Sequence, residues 1–208
     1  SEGDLPEVDF SYNGNVFYGS AQYLYDNLAN VAFTYSQGFR SPNLQEAVQL
    51  GDTGKFFHVP NDGLEPETAD TFELLARGRF WRFEVGAAAY VTFLQDLIIR
   101  EETTWRGDAK VNEKPVVRNV NANDGEIRDV EPRFLFDMGW GFSLRGHLTY
   151  TWGEQELEDG RVTPMTRIPP LFGQVTLRYD TDADRTWRAF IELYGRGADE
   201  QDRLSDED

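Results

Sequence analysis

Two histidines, no cysteine and 37 acidic residues set the chemistry open to this chain of 208 residues. His58 and His147 stand far apart, and a metal centre needs three or four converging donors, so no metal site is expected from them. The absence of cysteine removes thiolate nucleophiles, a disulfide framework and Cys-ligated zinc or iron–sulfur sites. Glu154, Glu156, Glu158 and Asp159 form one acidic cluster, and Asp199, Glu200, Asp202, Asp206, Glu207 and Asp208 form another. Carboxylates suit calcium, but neither cluster has the fixed spacing and central glycine of a calcium loop, and solvated loops account for both. Gly51, Asp52, Thr53, Gly54 and Lys55 imitate part of a phosphate loop, yet Gln49 stands where its first glycine belongs and Phe56 where Ser or Thr belongs. No Gly-x-Ser-x-Gly elbow occurs. No catalytic residue and no cofactor is expected, and the chain is not read as an enzyme.

Charge narrows the partners. With 20 Lys plus Arg the formal net charge is -17. Nucleic-acid binding draws its affinity from a basic face that displaces counterions, so no nucleic-acid partner is expected. Aromatic residues make up 14% of the chain, far from the aromatic-poor composition of disorder. The longest nearly apolar run, 85–91, falls well short of the roughly 20 residues of a membrane helix, and residues 1–9 carry no apolar stretch of a signal peptide.

The elements that must position any site are strands. Phe142, Leu144, Gly146, Leu148, Tyr150 and Trp152 alternate with Ser143, Arg145, His147, Thr149 and Thr151, giving one apolar and one polar face at period two. Trp81, Phe83, Val85, Ala87, Ala89, Val91 and Phe93 repeat the pattern against Arg82, Glu84, Gly86, Ala88, Tyr90 and Thr92. Shorter versions follow at 173–179 and 187–193. Together the pattern predicts strands at 15–25, 29–37, 68–77, 81–100, 126–138, 141–152, 170–179 and 187–196, an all-β antiparallel up-and-down meander of about eight long strands.

The connections sort by length. Short turns at 26–28, 78–80, 139–140 and 180–186 alternate with long loops at 38–67, 101–125 and 153–169, with a fourth opening after Gly195. In a meander this places every short turn at one end and every long loop at the other, which is the habit of transmembrane β-barrels and not of sandwiches. Trp81, Trp140, Trp152, Trp187, Tyr150 and Tyr179 fall near strand ends, where such barrels carry interfacial aromatic girdles. The alternation then turns Phe83, Val85, Val91, Phe142, Leu144, Leu148, Val175 and Leu177 to lipid, and Arg82, Glu84, Arg145, His147 and Thr149 to the lumen. Arg82, Arg145, Arg178 and Arg188 are expected to pair with Glu84, Glu131 and Glu192 across strands.

Particular strings add a family. GFRSPNL (38–44), LEPETADTFEL (64–74) and TRIPPLFG (166–173), supported by 119–121, IRDVE (127–131), YTWG (150–153) and QDRLS (201–205), together resemble the TonB-dependent outer-membrane receptors. Asp129 and Leu75 stand where that family often has glycine. The resemblance implies a bacterial outer-membrane location and a barrel of about 22 strands, of which this chain would be part of the wall, near but not at its C-terminal end. It also implies uptake of a scarce nutrient such as an iron-siderophore, haem or cobalamin. Partners implied are outer-membrane lipid, an extracellular small-molecule ligand, and TonB and a plug domain acting through the N-terminal plug and final strands, which these residues do not include.

Two other classes stay open: a self-contained small outer-membrane barrel acting as anchor or adhesin, and a soluble β-sandwich binding carbohydrate. In every membrane reading the long loops meet the ligand first. Within them Phe56, Phe57, His58, Trp105 and Arg106 are the candidate contacts, aromatic and cationic groups of the kind that dominate desolvated pockets; packing of the loops against one another is the alternative role.

Overall fold

The computed structural model describes residues 12–121, 124–156, 160–181 and 189–201. In chain order it contains β1 (Tyr18–Tyr25), β2 (Ala29–Arg40), a short helix α1 (Leu44–Val48), β3 (Gly51–Asp52), β4 (Phe57–His58), β5 (Glu67–Phe80), β6 (Phe83–Gln95) and β7 (Ile98–Glu102). It continues with β8 (Lys110–Val111), β9 (Lys114–Asn121), β10 (Gly125–Gly139), β11 (Phe142–Glu156), β12 (Val162–Pro164), β13 (Phe172–Asp180) and β14 (Phe190–Ala198). Eight strands form one antiparallel sheet in the order β1-β2-β5-β6-β10-β11-β13-β14, with β12 extending the far end of β11. The meander is as expected. Its central strands β5, β6, β10 and β11 run 13 to 15 residues, longer than the roughly 9–11 that cross a bilayer, so they project beyond the hydrocarbon.

The turns explain why the hairpins close where they do. Asp26 and Asn27 both take left-handed φ of 45° and 56°, the twist that joins antiparallel strands in two residues. Gly139, Trp140 and Gly141 are left-handed as well, with Trp140 at φ 53° and 93% exposed at the tip. Beside it Phe142 packs on Tyr179 at 4.7 Å, and Phe83 stacks on Phe136 at 4.2 Å. These rings form an aromatic belt at the short-turn end.

Register then assigns the two faces. Leu74, Ala89 and Val130 lie in one row, Val85 faces Phe134, and Leu144 faces Leu177; all point to the outer face. Phe134 lies over Gly146, where an added Cβ would meet its ring at 2.6 Å, so this glycine seats an aromatic neighbour on the outside of the wall. On the opposite face Arg77, Gly86, Arg133, His147, Gln174 and Arg196 form one transverse row. Arg77, Glu84, Glu131, Arg133, Arg145 and His147 line a single hollow of about 840 Å³. Cross-strand ion pairs brace it: Arg77 to Glu84 at 3.1 Å, Arg79 to Glu84, Arg145 to Glu192 at 2.9 Å and Arg178 to Glu192 at 3.2 Å.

Burial is inverted relative to a soluble domain. Among the described residues the buried apolar side chains are Ala47, Val59, Leu64, Val116, Val117 and Val120, and all six belong to the connections at the long-loop end. None lies in the eight-stranded sheet. Its outer face instead leaves Val85 at 53% and Leu148 at 44% exposure, part of an apolar surface continuous across the strands. Water would penalise so extended a patch; lipid would not.

Several boundaries differ from the alternation. The segment expected as one strand at 81–100 divides, because Asp96 adopts a left-handed φ of 57° and turns β7 out of the wall. β5 runs on to Phe80, which moves the turn to Trp81 and Arg82; Arg82 therefore sits at the rim, with Nη1 donating to the Met138 carbonyl at 3.3 Å, rather than on the lumen wall. The long loops are not irregular. Trp187, Arg188, Glu158, Asp159, most of 180–186 and 202–208 lie outside the described residues.

Candidate functional site

The loops 38–67 and 101–125 build a second sheet in the order β3-β4-β9-β7, with β8 on β9 and β4 running parallel to β9. Strands of two residues cannot stand on their own pairing, so side chains must hold the layer. Arg40, at the end of β2, reaches both carboxylate oxygens of Glu46 at 3.0 Å and also pairs with Glu67, whose other oxygen accepts from the Ile98 amide at 2.8 Å. One guanidinium thus ties β2, α1 and β5 together, and Glu67 adds β7. Asn43 caps α1 reciprocally: its Oδ1 accepts from the Glu46 amide at 2.9 Å while Glu46 accepts from the Asn43 amide at 2.8 Å.

Asparagines fasten the other side. Asn61 donates to the Asn119 carbonyl at 2.8 Å, and Asn119 donates to the Glu46 carbonyl at 2.9 Å. Asn121 donates to the carbonyls of Glu65 and Asp96 at 2.9 and 2.7 Å and accepts from the Glu65 amide at 2.8 Å. At the edge Lys114 Nζ meets the two oxygens of Asp52 at 2.6 and 2.5 Å, which with the Gly54 amide holds that carboxyl below the usual carboxylate range. Residues of the strings GFRSPNL and LEPE, and the asparagines of 119–121, are therefore the fasteners of this layer.

All five expected contact residues fall in it, split by β4 into two groups. Phe56 and His58 share one face at 6.5 Å, with Arg100 stacked over Phe56 at 4.9 Å. Phe57 turns the other way to Trp105 at 6.3 Å, and Arg106, exposed at a left-handed turn, lies 5.4 Å over that indole. His58 is only 6% exposed, so its ring is held by the layer rather than offered at the surface.

His58 borders a polar cleft of about 610 Å³ between α1, the start of β7, Asn119, Gln155 and residues 165–167. Arg100, Arg167, Met165, Gln45 and Gln49 also line it. None of these was singled out from the sequence; Arg167 lay within TRIPPLFG, where its left-handed φ of 63° is a property no string reveals. Gln155 shares the β11 alternation of His147 and Thr149, and Arg40 pairs with Glu67 across β2 and β5 on the same side. The cleft therefore opens on the side of the charged hollow, above the mouth of the lumen.

Burial, and next the positive charge of Arg100, hold the His58 imidazole below its ordinary value of 6.5. A depressed histidine adds stability above the unfolded value and loses it as pH falls through the folded one. Hydrogen-exchange protection of the β4 and β9 amides, corrected for intrinsic rates, should fall between pH 7.5 and 5, and His58→Gln should flatten that dependence. An unchanged pH profile in the variant would mean that His58 is not the group.

A curved antiparallel wall, apolar outside and charged inside, with folded loops at one end defines an outer-membrane β-barrel of the receptor type. The profile of the TonB dependent receptor-like β-barrel matches residues 2–206, and the chain belongs to that family, whose members are transport receptors of the Gram-negative outer membrane and not enzymes. The chain is 27% identical over 172 residues to the probable hemoglobin and hemoglobin-haptoglobin-binding protein 4 of Haemophilus influenzae, covering 76% of this chain and 17% of that one. Among solved structures it resembles the copper transporter OprC (19% identity, 90% of this chain, 27% of that chain, TM-score 0.68). It also resembles the Serratia marcescens hemophore receptor HasR in complex with HasA and heme (17% identity, 85% and 31%, TM-score 0.66). The chain spans less than a third of the length of each. Neither the small self-contained barrel nor the β-sandwich is favoured by these matches.

Proposed function

We propose that this chain forms part of the wall and outer loop layer of an active uptake receptor for a scarce nutrient, of the iron-siderophore, haem or cobalamin kind, energised through TonB. The observation that carries the reading is the pairing of a lipid-facing outer wall with a charged inner wall beneath an ordered loop layer. Among the described residues β1 and β14 are the edges of the sheet, and open edges are intolerable in hydrocarbon, so further strands of the full-length protein complete the barrel, and a plug domain occupies its lumen. Phe56, Phe57, His58, Trp105 and Arg106 serve ligand capture through the layer, His58 by shaping it and Arg106 by direct exposure. One relative, 27% identical over 172 residues, carries a haemoglobin-binding name, and haem is therefore the first cargo to try.

The test is to shorten the loops 38–67, 101–125 and 153–169 one at a time in the full-length protein. Capture of haem or ferric siderophore by whole cells is then measured at matched surface expression. At least a tenfold loss from one deletion is expected. Undiminished capture in all three would place the binding determinants elsewhere.

A further inference from the structure

The cleft at the mouth carries an oddity of charge. The chain has 37 acidic residues against 20 basic ones, and most of its arginines on the inner wall are paired. Arg100 and Arg167 both line the cleft, and among the described residues neither forms an ion pair. Arg100 only stacks on Phe56. The cleft's carboxylate, Glu46, is already saturated by Arg40 and the Asn43 amide. Asn119 is likewise committed to the Glu46 carbonyl. What remains for an incoming molecule is two guanidinium groups and the amides of Gln45, Gln49 and Gln155, beside the thioether of Met165, with the buried His58 ring behind them.

We infer that this cleft is an anion site, in which Arg100 and Arg167 clamp a carboxylate or phosphate group of a small molecule while Met165 covers its apolar part. Guanidinium forks match both groups in two-point geometry, and amides can complete the shell without adding charge. An acidic protein repels anions at long range, so two exposed, unpaired cations lining one cleft make it a place where an anion is locally favoured. The inference rests on reading the loop layer as the capturing surface, and it deepens that reading by naming the chemistry captured.

The experiment titrates the full-length protein in detergent micelles with citrate, with inorganic phosphate and with a neutral sugar, following the melting temperature and the protection of β7 and β9 amides. A saturable response to citrate or phosphate and none to the sugar is expected; the stronger of the two identifies carboxylate or phosphate as the preferred group. Arg100→Gln and Arg167→Gln should each weaken that response at least tenfold, and the Lys variants should recover part of it. Arg79→Gln, at the short-turn end of β5 and outside the cleft, should leave it unchanged. Unchanged β9 protection in the unliganded Gln variants shows that the layer still folds. No saturable response, or one that survives both Gln substitutions, would overturn the site. The two readings fail separately: Arg-dependent anion binding with undiminished capture after loop shortening would sink the capture reading alone, and loop-dependent capture with no Arg-dependent anion binding would sink the anion site alone.

Discussion

Replacing Leu148 by arginine should cost about 2–4 kcal/mol of folding stability in lipid vesicles, the range for a cation on the lipid face near the bilayer midplane. Leu148 lies on the outer face of β11, 44% exposed, roughly midway between Phe142 beside the short turn and Trp152 near the loops. The ten steps between them, at about 3.4 Å each and tilted by about 40°, span roughly 26 Å along the membrane normal, close to the apolar band of such barrels. Thr149, the next residue, turns into the charged hollow, and Thr149→Arg should be mild. Urea unfolding in vesicles measures both. Equal costs would mean that the two faces are not what the register makes them.

The second large effect concerns the loop layer. Val117 is 1% exposed and pairs with His58 through β9 and β4. Val117→Asp buries a carboxylate with no partner, which costs several kcal/mol. That cost should fall on the layer alone, because its apolar core is separate from the wall. Exchange protection of β4, β7 and β9 should collapse while β10 and β11 stay protected and the barrel keeps its native electrophoretic mobility. Loss of protection across the wall as well would show that layer and wall fold as one unit.

The wall was legible and the layer was not, for a physical reason. Phe142 to Trp152 and Phe83 to Phe93 declare themselves because a lipid-facing strand must alternate along its whole length. β3, β4 and β8 are two residues each, too short for any period, and exist only through partners far along the chain, as His58 does through Val117. The break at Asp96 is a backbone conformation in a segment whose flanks, Leu94 and Ile98, both look like strand. The strings GFRSPNL and LEPE marked the family but gave no hint that Arg40 joins Glu46 to Glu67 across the layer. Of the site, the loops and their aromatic residues were read from the sequence. The cleft was not, since Arg100 and Arg167 come to line one cleft only after two distant segments have folded.

The central claim is that this sheet is a membrane wall with one face in lipid. Nitroxide labels placed one at a time from 142 to 152 in the full-length protein, reconstituted in vesicles, test it most directly through their accessibility to oxygen and to a water-soluble nickel chelate. The account predicts a period of two, with oxygen favoured at 142, 144 and 148 and suppressed at 145, 147 and 149. No alternation, or oxygen favoured at 145, 147 and 149, would contradict it.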